Sequence, residues 1–199
     1  VYARPTYYVS RKKAENSASN TLGGFIKVDN STLDSSNIHF NPSLKGVGSY
    51  CYKSDLSIDT DYENYNLPIG GVCYVNNSNL YINEIKSLDG NGSIALDGGF
   101  IYKDINDSKI ISFKGISLEN YNSYHNGGAI SLNRTKNIPN TFSLLNFDTI
   151  HLNNCNAING FGGGIYMNTT KANFNEINIT DCTAMKGGGG LALISNGDD

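Results

Sequence analysis

The residues best placed to do chemistry are four cysteines. Cys51 and Cys73 lie 22 positions apart, and Cys155 and Cys182 lie 27 apart. Such pairs make disulfide cross-links if the fold brings each pair together, and otherwise serve as small buried hydrophobes. No C-x-x-C occurs, which argues against a metal site. The one close carboxylate pair on a strand-like stretch is Asp59-x-Asp61. Alternate residues of a strand share a face, so this is the sole candidate for acid–base work on a glycosidic bond. His39, His125 and His151 are scattered, and there is no Gly-x-Ser-x-Gly and no P-loop. No catalytic residue, cofactor or metal ligand set is assigned.

Seven Asn-x-Ser/Thr triplets stand at Asn30, Asn76, Asn91, Asn106, Asn133, Asn168 and Asn178. In a secreted eukaryotic protein they are glycan acceptors. In any other setting they are turn residues whose amides can form ladders. A chain this rich in Asn and Ser produces such triplets freely.

The elements that must position these residues are set by a repeat. Pairs of small residues begin at Gly23, Gly48, Gly70, Gly98, Gly127, Gly162 and Gly188, at steps of 25, 22, 28, 29, 35 and 26. Each pair precedes a short apolar run. Ile26, Cys51, Cys73, Ile101, Ile130, Ile165 and Leu191 form one column. Val28, Lys53, Val75, Lys103, Leu132, Met167 and Leu193 form a second, two residues further on. This is the period-two alternation of a strand with one buried face. Asp29, Ser54, Asn76, Asp104, Asn133 and Asn168 close the strands. Between the two apolar columns stand Tyr52, Tyr74, Tyr102 and, further on, Tyr166. They are expected to form an outward aromatic stripe, either bracing the sheet or stacking on sugar rings of cell-surface glycans.

A second strand recurs as Phe-x-x-Ile-x-Leu/Ile-x-Asn/Asp from Phe113, Phe147 and Phe174, with a weaker copy at Ile82-x-x-Ile85. Ser123, Ala157 and Ala184 follow at a constant offset. No unit contains a helical apolar period, and units under 36 residues are too short for propeller blades of ~40–45 residues. The expected fold is therefore all-β: a single-stranded parallel β-helix of about seven coils with almost no α-helix. Residues 1–22, with a short strand at Tyr7-Tyr8-Val9, form a lead-in, and residues 23–199 form the β-helix. The rod is expected to continue in a longer protein or to associate with itself, end to end or laterally. On this fold each cysteine pair falls in one column of adjacent coils at ~4.8 Å, inside the ~4.4–6.8 Å disulfide window.

Gly-Gly-Ala-Ile at 127–130, with Gly-Gly-Gly-Ile-Tyr at 162–166 and Gly-Gly-Gly-Leu-Ala at 188–192, resembles the GGA[ILV] repeat of the chlamydial polymorphic membrane proteins. The companion FxxN tetrapeptide of that family is replaced here by Phe-x-x-Ile. The resemblance implies a right-handed parallel β-helix of the autotransporter-passenger kind, exposed at a cell surface and adhesive.

Charge and hydropathy narrow the partners. The net charge of −3, with 17% charged residues, supplies no field to gather nucleic acid. No apolar run reaches the ~20 residues of a spanning helix, so this segment is not expected to insert in a membrane that way. The expected function is a non-catalytic extracellular structural, adhesive or filament-forming protein. The alternative is a polysaccharide lyase or glycoside hydrolase on the pectate-lyase-like β-helix.

Overall fold

The computed structural model describes residues 7–9, 26–29, 32–34, 38–40, 67, 69–76, 78–105, 109–134, 144–168 and 171–194. Among them are sixteen strands and no helix. They are β1 (Tyr7–Val9), β2 (Ile26–Asp29), β3 (Thr32–Asp34), β4 (Ile38–Phe40), β5 (Cys73–Asn76), β6 (Asn79–Ala95), β7 (Ile101–Asp104) and β8 (Ile110–Ser123). The chain continues through β9 (Ile130–Asn133), β10 (Leu144–Asn153), β11 (Asn156–Ala157), β12 (Ile165–Met167), β13 (Asn173–Phe174), β14 (Ile177–Thr180), β15 (Thr183–Ala184) and β16 (Leu191–Leu193).

Each strand that follows a glycine pair stacks on its counterpart in the next turn. They make one parallel sheet in the order β16-β12-β9-β7-β5-β2. The long Phe-x-x-Ile strands make a second parallel sheet built on β6, β8, β10 and β13–β14. The expected columns are in register: Cys73 beside Ile101, Ile101 beside Ile130, Ile130 beside Ile165, Ile165 beside Leu191. Phe113, Phe147 and Phe174 stack likewise, with ring centroids 5.2 and 5.1 Å apart. The chain is a parallel β-solenoid, as the repeat predicts.

The number of coils is a correction. About three turns are formed, not seven. The copy beginning at Gly48 lies outside the described residues. β5 has two edges; one is taken by β7 and the other by β2, with Ile26 beside Cys73 and Val28 beside Val75. β2 and β5 are thus direct neighbours, where the repeat predicts a further copy between them. The short strand at Tyr7–Val9 is present and pairs in parallel with β4.

Backbone conformation explains the Phe-x-x-Ile spacing. Two inward residues separated by two others violate a strict period of two. The solution is one left-handed residue between them. Glu84, Gly115 and Thr149 occupy this corner, with φ of 57°, 62° and 55°. A second corner falls on Asn120, Asn154 and Asp181, with φ of 58°, 48° and 52°. Asn and Asp tolerate this region better than most residues. The third corner is the first glycine of each pair: Gly70, Gly98, Gly127, Gly162 and Gly188 all have φ between 60° and 72°. Three left-handed corners therefore turn the chain around the 98–126 and 127–161 coils. The second glycine of a pair is needed for a different reason. A Cβ on Gly128 would collide with Gly163 O in the next coil and with Asn156 N further along its own coil.

The main core cluster runs up the rod axis, from Val72 and Cys73 to Ile165 and Met167, and a small second cluster joins Leu67, Ile94 and Tyr124. Lys103 interrupts the main cluster. Its side chain is fully buried in the apolar column between Val75 and Leu132, and its Nζ donates to Asp104 O at the strand exit. The aliphatic stem fills the column while the ammonium reaches polar backbone.

Two substitutions test the corners. Gly128→Ala should lower stability by more than about 3 kcal/mol, because the clash is with backbone and cannot be relieved by a rotamer. Thr149→Gly should raise it by about 1 kcal/mol, since a β-branched residue at positive φ stores strain. Chemical denaturation of the two variants beside the native chain reads both. Equal midpoints for all three chains would refute the corner assignment.

Candidate functional site

The corner that carries Asn120, Asn154 and Asp181 holds a dense polar construction among the described residues. Asn120 Nδ2 donates to Asp89 Oδ1 at 2.8 Å, and Asn154 Nδ2 donates to Asn120 Oδ1 at 2.7 Å. Two residues on, Asn156 Nδ2 donates to Asn122 Oδ1 at 2.8 Å, and Thr183 Oγ1 donates to Asn156 Oδ1 at 2.7 Å. On the adjoining face Asn173 donates to Asn146, Asn175 to Asp148 and Thr180 to Asn153. Each link runs between consecutive coils, and in each the later coil donates to the earlier one. Side-chain amides suit this role, because each carries both a donor and an acceptor.

Between these ladders lie two of the predicted cysteines. Cys155 and Cys182 are brought together as expected, bracketed by the register pairs Asn153–Thr180 and Asn156–Thr183. They are free thiols, not a disulfide. Cys155 N–H donates to Cys182 Sγ at 3.3 Å. The Cys155 Sγ lies 3.4 Å from Asn153 O. Its hydrogen bond to Cys182 and its burial push the Cys155 thiol well up. The same side-chain bond from Cys155, assisted by the Cys155 N–H, holds the Cys182 thiol below its ordinary range despite partial burial.

The other predicted pair is not formed as expected. Cys73 is a buried free thiol, pushed far up by desolvation, and its column neighbours are Ile26 and Ile101. The position expected for Cys51 is thus taken by Ile26. Cys51 itself, Tyr52 and the Asp59-x-Asp61 pair lie outside the described residues.

The aromatic stripe is in register but largely covered. Tyr74 and Tyr102 stack at 5.5 Å with ring planes 4° apart. Tyr102 and Tyr166 are buried, and Ser131, the small residue between them in register, is completely enclosed. Tyr102 hydrogen-bonds the Asn133 side chain. Asp97 lies near both phenols and also takes the Asn126 N–H at 3.0 Å and faces His125 Nδ1 at 3.5 Å. A stripe bound down in this way braces the sheet and offers little face to a sugar ring. The Asp97–His125 pair was not legible beforehand. The available signal was the Asp or Asn directly before Gly98 and Gly127.

The triplet asparagines divide by environment. Asn178 is exposed on β14, Asn76 and Asn133 are half-buried, and Asn168 is buried with its Nδ2 donating to Arg134 O at 3.1 Å. A glycan on Asn168 would break that bond, whereas Asn178 has room for one. Asn91 falls in β6 but its side chain lies outside the description, as do Asn30 and Asn106. Among the described residues no three His, Cys, Asp or Glu side chains are grouped to hold a metal ion, and no helix is long and apolar enough to cross a membrane.

Comparison with protein-family models, curated proteins and solved structures found no match. The likeness to the chlamydial passenger repeat therefore rests on the glycine-pair motif and the solenoid, with no family membership behind it.

The buried phenols carry a pH dependence. Burial first, and then the Asp97 charge, push Tyr166 up; burial, then Asp104 and Asp97, push Tyr102 up; burial pushes Tyr121 up. A phenol raised in the folded state stays protonated there after the unfolded chain begins to ionise near pH ~10. Stability is thus full below that value and falls as pH rises through and beyond it. The midpoint of thermal unfolding should drop steeply from about pH 10 upward, and Tyr166→Phe should make the drop shallower. An identical alkaline slope in that variant would count against the assignment.

Proposed function

We propose that this solenoid is a non-catalytic structural or adhesive element of an extracellular surface, extended by the addition of further parallel coils. The observation that carries the reading is the state of the last described coil. In the phenylalanine column Phe113 is 0% exposed, Phe147 1% and Phe174 37%. In the strand column Leu132 and Met167 are 0% exposed and Leu193 is 53%. Met185, just after β15, is 76% exposed. Phe174 and Leu193 are the outermost described members of the core columns, and they lie along the outer edges of β13, β14 and β16. Exposed apolar surface beside open strand edges is a template for pairing in parallel.

The side-chain ladders favour the same addition. Their last members, Asn173, Asn175, Thr180 and Thr183, spend a donor on the preceding coil and each carry an oxygen that can accept from a following coil of the same kind. Lateral faces that repeat every coil then supply many equivalent contacts to a surface partner. Extracellular placement fits a fold whose strength lies in backbone ladders.

Sedimentation velocity and negative-stain electron microscopy of the chain test the reading. The expected result is concentration-dependent association into elongated particles, abolished by Phe174→Glu together with Leu193→Glu. Isolated monomers at every concentration, with cleavage of acidic polysaccharide, would overturn it in favour of an enzyme.

A further inference from the structure

The Cys155–Cys182 pair is built asymmetrically, and the asymmetry has a chemical use. We propose that the pair is a thiol–disulfide exchange site, in which Cys182 takes up a small-molecule disulfide and Cys155 resolves it, closing a covalent bond between consecutive coils.

Three observations support the assignment. The first is register. Cys155 and Cys182 occupy adjacent strand positions between two paired sites, and neighbouring strands lie ~4.8 Å apart, inside the ~4.4–6.8 Å Cα window of a disulfide. The second is access. Cys155 is completely buried, whereas Cys182 is partly exposed on the last described coil. An incoming disulfide can reach only Cys182, and it does so on a chain whose last described coil is not yet covered by another, the open state from which the proposed addition of coils starts. The third is activation. Cys182 Sγ accepts the Cys155 N–H at 3.3 Å, which stabilises a thiolate, and its thiol is held down while that of Cys155 is held up. The thiolate is the attacking species in such exchanges.

The chemistry balances without any further oxidant. The Cys182 thiolate attacks one sulfur of R–S–S–R; the Cys182–S–R bond forms and one R–S⁻ leaves. That thiolate, or water, takes the Cys155 proton. Cys155 then attacks Cys182 Sγ, the Cys155–Cys182 bond forms, and the second R–S⁻ leaves. The protein loses two electrons, the small disulfide gains them, and two R–SH are released. The positions of the coils need not change, because the two thiols already touch. An excess of small thiol runs the sequence backwards and restores the pair seen here.

Glutathione disulfide is a suitable probe, with intact-mass measurement and peptide mapping of the whole chain. The expected time course has a transient glutathione adduct on the Cys182 peptide, followed by a Cys155–Cys182 cross-link and a chain lighter by two hydrogens. Cys155→Ser should stop at the adduct on Cys182, and Cys182→Ser should leave Cys155 unmodified. Iodoacetamide at neutral pH should label Cys182 at least ~10-fold faster than Cys155 in the native chain. An adduct on Cys155 in the Cys182→Ser chain at the native rate, or a native chain that never forms the cross-link, would overturn the proposal. The native time course and the labelling ratio stand even if a serine variant fails to fold.

Discussion

Everything in this molecule depends on parallel, in-register stacking of one coil on the next. A coil by itself is an open loop of chain with unpaired amides above and below. Its N–H and C=O groups are satisfied only when the neighbouring coil places the same corner and strand at the same height. The glycine corners show how tight the requirement is. Gly70, Gly98, Gly127 and Gly162 each donate their N–H to the residue before the glycine pair of the next coil, at 2.8–3.1 Å. The second glycine lies so close to the coil above that no Cβ fits. Departures from the repeat are therefore confined to places that do not disturb a corner. Residues 135–143, the extra length of the 127–161 coil, lie between β9 and β10, and the strands on both sides of them keep register.

This constraint decided what could be read from sequence. The inward columns, the Phe-x-x-Ile strand and the positions of Ser123 and Ala157 were legible, because stacking forces like on like at a constant offset. The same logic did not anticipate that β2 and β5 are direct neighbours. Gly48-Ser49-Tyr50-Cys51-Tyr52-Lys53 has the local form of a coil, yet β2 pairs directly with β5. A local pattern shows that a segment could enter the stack; only the occupancy of the neighbouring edges shows whether it does. The Tyr102 and Tyr166 side chains failed for a related reason. Alternation placed them on the outer face, but whether an outer face is covered depends on what lies against it, here Asn133 bonded to Tyr102 and Asp97 near both phenols. The pairing of Cys155 with Cys182 was legible from spacing, while their reduced state was not.

Side-chain ladders add a sense of direction that the backbone lacks. In a parallel sheet the main-chain bonds run both ways between neighbours, as Val72 N–H to Phe100 O and Tyr124 N–H to Ala95 O illustrate. The Asn and Thr ladders run one way, each coil donating to its predecessor. The two ends of the stack are thus chemically unlike. An end of acceptors meets an end of donors, and two like ends do not satisfy one another.

The one-coil repeat also determines how the rod bears load. Strand-to-strand bonds lie along its axis, so a force pulling its two ends apart acts on one coil at a time at an exposed edge. Each rupture frees a coil of 26 to 35 residues, roughly 90–120 Å of extended chain, while the coils beneath stay intact. Such a rod yields in discrete steps and dissipates work at each one. A covalent link at Cys155–Cys182 would withhold the intervening slack and turn one yielding step into a stop.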